Sequence, residues 1–130
     1  MVEKCLCEPT EILMFPCSGG SNVGQIANRA AVELTQENVG KVFCLAGIGG
    51  HVSGLVESTK SAKRIVGIDG CPVQCAKKTL EHAGFRVSDY VVVTELEIGK
   101  NHEFTLKDEE VKRVKDTIRD QLGQPIEQVA

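Results

Sequence analysis

Six of the 130 residues are cysteines, and the stretch most able to use them is Asp69-Gly70-Cys71-Pro72-Val73-Gln74-Cys75. The apolar residues before it, Val66 to Ile68, read as a buried strand that stops at Asp69-Gly70 and turns into a helix. Pro72 suits a first helical position, where its missing N–H costs nothing. Cys71 then falls at the N-cap, and Cys75 lies one turn on, on the same face. Free N–H groups and the helix dipole at such an end favour thiolate over thiol. Thiolate is the form that binds metals and attacks electrophiles.

The remaining cysteines occupy different settings. Cys17 lies in Pro16-Cys17-Ser18-Gly19-Gly20-Ser21, a run of turn formers. Cys44 sits between Phe43 and Leu45, and Cys5 and Cys7 form a C-x-C pair within the first ten residues. What brings separated thiols together is the order of elements. Glu11–Phe15, Lys41–Ala46, Arg64–Ile68 and Ser88–Glu95 read as four apolar, β-branched strands. The first helix carries Val23, Ile26, Ala27, Ala30, Ala31 and Leu34 on one face, capped by Ser21 or Asn22 and closed at Gly40. Val52, Leu55 and Val56 mark a short helix, ended near Thr59 to Ala62. Val73, Ala76, Leu80 and Ala83, closed by Gly84, mark another. Val111, Val114, Ile118 and Leu122 form a stripe on the last, with Thr105 or Asp108 as its cap. Strand and helix alternate four times, which predicts an α/β fold: a three-layer α/β/α sandwich around a mainly parallel sheet of about four strands.

Open parallel sheets bind ligands beyond the carboxyl ends of their strands. Cys17 follows the first strand, Cys44 lies toward the end of the second, and Cys71 and Cys75 follow the third. Four thiolates at one edge suit a tetrahedral zinc site, with Cys17, Cys44, Cys71 and Cys75 as the metal ligands. The C-x3-C spacing is not that of a zinc ribbon, so the expectation rests on the shared edge. Two other chemistries use the same residues. A thiol-redox or sulfur-transfer protein would attack through Cys71 or Cys75, with Cys17 as the resolving partner. An iron–sulfur cluster also takes four cysteines. Against all three, free cysteine is often an inert buried hydrophobe, and Cys44 between two apolar neighbours fits that account equally well.

Gly19-Gly20 and Gly47–Gly50 can cradle an anion, although tight turns explain both and neither matches a nucleotide-binding pattern. His51 can serve as ligand or base, or as a surface residue without a role; His82 and His102 have no assignment. Asp69 reads first as a turn or cap residue and second as a hydrogen-bond acceptor behind the cysteines.

Composition narrows the field. Hydrophobic residues make up 42% and charged ones 25%, ordinary values for a globular domain. The net charge of -3 and the absence of a Lys/Arg run argue against nucleic acid as partner. No apolar run approaches the length needed to cross a bilayer, and the first residues lack the apolar core of a signal peptide. The expected location is the cytoplasm, where disulfides are rare and cysteines serve metals or redox chemistry. One domain is expected over residues 11–123, between a tail at 1–10 and another at 124–130. The expected partner is a metal ion; no protein partner or substrate follows from the residues.

Asp69-Gly70-Cys71 with Pro72-Val73-Gln74-Cys75-Ala76-Lys77-Lys78 resembles the signature of the DGC-domain proteins. Pro16–Gln25 and Phe43–Gly50 resemble the same family, and the similarity runs from about Leu13 to Val93. The resemblance implies zinc binding through four cysteines, which fall on Cys17, Cys44, Cys71 and Cys75. It implies no reaction.

Overall fold

The apolar run Ile12–Pro16 forms β1, buried from Leu13 onward. In the computed structural model, which describes residues 12–125, four strands make one wholly parallel sheet. They are β1, β2 (Lys41–Val42), β3 (Arg64–Asp69) and β4 (Asp89–Val92), in the order β2-β1-β3-β4. Five helices accompany them: α1 (Asn22–Gln36), α2 (Leu45–Gly49), α3 (Ser53–Lys60), α4 (Cys75–His82) and α5 (Asp108–Leu122). Cys5, Cys7 and the expected tail at 1–10 lie outside the described residues, as does the chain beyond 125.

Side chains alternate across a strand, and this divides the core in two. Met14, Val66, Ile68 and Val91 point to one face and bury Val23, Ile26 and Ala30 of α1 with Val111, Val114 and Ile118 of α5. Leu13, Phe15 and Ile65 point to the other, against Ile48 of α2 and Leu80 of α4, with Leu55 and Val56 of α3 at its margin. The result is the expected three-layer α/β/α sandwich. Across the outer surface, Glu33 of α1 and Glu37 just after it pair with Lys115 of α5, and Arg119 also reaches Glu37. Those cations hold both carboxyls below the usual carboxylate range.

Local signals decide most ends. Ser21 caps α1 by accepting from the Gly24 N–H at 3.1 Å. Gly84, at φ 90°, follows α4 as expected. Elsewhere the structure departs from the expectations. Strand β2 has two residues rather than six: Phe43 N–H still donates to Met14 O at 2.9 Å and its ring meets Phe15 edge-on at 5.8 Å, and the chain turns into α2 at Cys44. Cys44 is therefore not in a strand; it is the exposed N-cap of α2. The Gly47–Gly50 segment is neither a tight turn after a strand nor an open cradle but lies in and at the end of that helix, with Ile48 buried in the core. Helix α1 ends before Gly40, with Glu37 as C-cap and Asn38, at φ 62°, taking the left-handed position. The last helix starts after Lys107, which donates no side-chain cap; three acids, Asp108, Glu109 and Glu110, face its N-terminal dipole instead.

Candidate thiolate site at the strand ends

The strand order reverses direction between β1 and β3, the position at which an open parallel sheet leaves a crevice beyond its carboxyl ends. Cys17, Cys71 and Cys75 all line a pocket there of about 220 Å³, together with Gly19, Gly20, Asp69 and Lys100.

Backbone contacts build the crevice floor. The Cys17 N–H donates to Ile68 O at 2.9 Å, extending the β1–β3 pairing by one residue. The Gly70 N–H donates in turn to Cys17 Sγ at 3.3 Å. Gly70 lies against the first turn of α1: a Cβ there would stand 2.7 Å from Gly24 N and 2.8 Å from Val23 C. Gly24 is equally confined, since its Cβ would stand 2.5 Å from Gly19 O. Three backbone segments meet where no side chain fits, and this fixes Cys17 next to the end of β3.

Asp69 sets where α4 begins. The residue is 1% exposed. It accepts from Ala76 N at 2.7 Å, from Lys77 N at 3.1 Å and from the Tyr90 hydroxyl at 2.7 Å. A carboxylate that takes the free N–H groups of a helix and satisfies its charge on them is a strong cap. The helix therefore starts at Cys75, not at Pro72. Cys71 and Pro72 belong to the preceding turn, and Gln74, at φ 64°, is the N-cap residue. The cap reading of Asp69 holds, and it removes Cys71 from the helix end where it was expected. Burial, and then the Asp69 acceptor, push the Tyr90 hydroxyl far above its ordinary value.

The sulfurs differ in setting. Burial pushes the Cys17 thiol up, against the N–H groups of Gly19 and Gly70, which pull it down. Asp69 and Cys75 add negative charge that raises it further. Cys71 is half-buried, with Lys100 Nζ at 3.6 Å from its sulfur. Cys75 is exposed at the first position of α4. Cys44 lies apart from this pocket. Its sulfur accepts from Gly47 N at 3.3 Å and lines the neighbouring groove with Cys17, Phe43, Leu45 and Thr79. Cys17 borders both spaces and stands between Cys44 and the other pair.

As donors the four thiols suit zinc, a borderline-soft ion. Their positions do not enclose one: among the described residues, no group of three or more His, Cys, Asp or Glu is close enough to hold a metal ion. Lys100 and His102 also line the pocket, though nothing in their sequence marks them. They reach it because Asn22 pins their loop to the start of α1. Asn22 Nδ2 donates to Gly99 O at 2.8 Å, and the Asn101 N–H donates to Asn22 Oδ1 at 2.6 Å. The signal was an asparagine beside the expected cap, which serves equally well as a cap.

The family model described as DGC domain matches residues 13–118. A curated relative, the anaerobic and virulence modulator AnvM of Pseudomonas aeruginosa, is 43% identical over 68 residues, which are 52% of this chain and 52% of that protein. The chain thus matches about half the length of that relative. No solved structure matches.

Proposed function

This chain belongs to the DGC-domain family, and from that premise we propose that it is a small thiolate-based metal-binding protein, with zinc held by Cys17, Cys44, Cys71 and Cys75. The observation that carries this reading is the meeting of Cys17, Cys71 and Cys75 in one pocket at the β1–β3 crevice. Cys44 borders the next groove and shares Cys17 with it. Amide N–H groups donate to two of the sulfurs and a lysine ammonium to a third, outer contacts of the kind that orient metal ligands. Bound zinc would supply charge to neutralise them and, with a position open, a Lewis acid. The relative's name describes a modulator, and a regulatory role in which metal occupancy is the signal suits a domain of this size.

Two observations favour a second reading, a thiol-reactive protein: although three of the cysteines line one pocket, no group of three or more His, Cys, Asp or Glu among the described residues is close enough to hold a metal ion, and Cys44 and Cys75 are exposed. In that case two thiols would each lose a proton and together two electrons to an oxidant such as a disulfide, joining as a new disulfide.

Protein purified without oxygen separates the two. Elemental analysis is expected to find about one zinc per chain, and Cys71→Ser to remove most of it. Metal-free protein with four rapidly alkylated thiols would overturn the zinc reading in favour of the redox one. Visible absorption with bound iron would instead place an iron–sulfur cluster on these residues.

A further inference from the structure

Helices α2 and α4 lie side by side on one face of the sheet, with Gly49 of α2 beside Thr79 of α4. Each has a cysteine at its start, Cys44 as the cap of one and Cys75 as the first residue of the other. Each also has a histidine at its end. His82 is the last residue of α4, and His51 follows Gly50, the C-cap of α2. The two imidazole rings are neighbours, with centroids 5.5 Å apart and planes tilted by 55°. Both residues are exposed.

We infer that His51 and His82 form a second transition-metal site, distinct from the cysteine pocket, for a borderline divalent ion such as zinc, nickel or cobalt. The distance fits. An imidazole nitrogen binds such an ion at about 2.0–2.1 Å, which puts each ring centre roughly 3.2 Å from the metal and two tetrahedrally placed rings about 5 Å apart. The observed centroid separation of 5.5 Å is close to that value. Imidazole is the ligand these ions share. Two protein ligands leave the other positions to water, as at an open site. The end of α4 adds the negative pole of a helix, which favours a cation.

The backbone of His51 is the second observation. At φ 54° it stands in the left-handed region, which costs a residue with a side chain and is free to glycine. The turn is a Schellman-like closure, with His51 N bonded to Ile48 O at 3.0 Å and Val52 N to Gly47 O at 2.9 Å. Glycine is the usual occupant there, and glycines stand at 47, 49 and 50 close by.

The site does not depend on the cysteine reading, and cobalt(II) tests the two separately. Thiolate coordination gives intense sulfur-to-metal charge-transfer absorption in the near ultraviolet, and bis-imidazole coordination does not. The reduced full-length chain is titrated by calorimetry and absorption beside His82→Ala, His82→Gln and His51→Gly. Wild type is expected to take up about one more cobalt than each variant, or to bind that ion about tenfold or more tightly, without added charge-transfer absorption for that step. His51→Gly should melt at or above the wild-type temperature while losing the ion, because the turn is relieved as the ligand is removed. Equal cobalt binding by wild type and His82→Ala would overturn the inference. Charge-transfer absorption that disappears with His82 would also overturn it, since cysteine would then share the ligand set.

Discussion

Replacing Asp69 by Asn keeps its size and removes its charge, and it tests whether one buried carboxylate holds the reactive edge together. The side chain accepts three hydrogen bonds, two from α4 amides and one from Tyr90, at 2.7, 3.1 and 2.7 Å. Each hydrogen bond to a charged acceptor is worth about 1.5–3 kcal/mol net. An amide offers one acceptor oxygen and must turn its NH2 group toward a donor, so one or two of the three bonds are lost. The expected cost is about 2–4 kcal/mol out of a total stability of roughly 5–15 kcal/mol. Asp69→Ala, which leaves all three donors facing nothing, should cost at least as much. Urea unfolding at neutral pH followed by far-ultraviolet circular dichroism gives the difference, provided the slope stays unchanged. A double-mutant cycle with Tyr90→Phe should show coupling of at least about 0.5 kcal/mol. In parallel, alkylation of Cys75 should change rate, because the first turn of α4 is no longer fixed from below. If Asp69→Asn lies within about 0.5 kcal/mol of wild type, the cap is not what anchors α4. Packing of Ala76 and Leu80 would then do so alone.

Three further outcomes follow from the same geometry. Tyr90 is the only tyrosine in the chain, and its folded-state pKa is raised by burial and by Asp69. The stability it contributes is therefore complete below the unfolded tyrosine value of about 10 and is lost as pH rises past it; phenolate absorbance should appear together with unfolding, and Tyr90→Phe should shift the alkaline transition upward. Gly70→Ala forces a Cβ onto the backbone of Val23 and Gly24, where no side chain can yield, so a loss of about 1–3 kcal/mol or more is expected, with faster labelling of Cys17 by iodoacetamide; wild-type behaviour would mean the α1 contact is loose. Asn22→Ala removes two of the bonds that tie down the loop carrying Lys100 and His102, which should cost about 1–2 kcal/mol and speed proteolysis between residues 99 and 107.

The architecture was legible in the sequence because it depends on repeating signals. Strand patterns at period two and helix faces at period 3.6 each add several residues pointing the same way, so the alternation and the three layers emerged despite errors at the ends. Ser21 and Gly84 were readable for the same kind of reason: a cap or a left-handed turn is a property of a few adjacent residues. Where a distant partner overrides local preference, reading the sequence placed residues wrongly. Phe43 and Cys44 look like strand, but Phe43 packs edge-on against Phe15, twenty-eight positions away, and Cys44 caps α2, so β2 is short. Pro72 looks like the start of a helix, but the buried carboxylate of Asp69 captures the amides of Ala76 and Lys77 and moves the start to Cys75.

The site divides along the same line. That cysteines would gather beyond the carboxyl ends of the strands follows from their order relative to the strands, and order is written in the sequence. Which sulfurs share a space is a matter of a few ångströms. It was settled by contacts between Gly19, Gly24 and Gly70, and by the loop that Asn22 ties to α1. Tertiary packing therefore decided that Cys17, Cys71 and Cys75 line one pocket while Cys44 borders the next. It also set His51 against His82, thirty-one residues apart, because only the packing of two helices fixes where their ends meet.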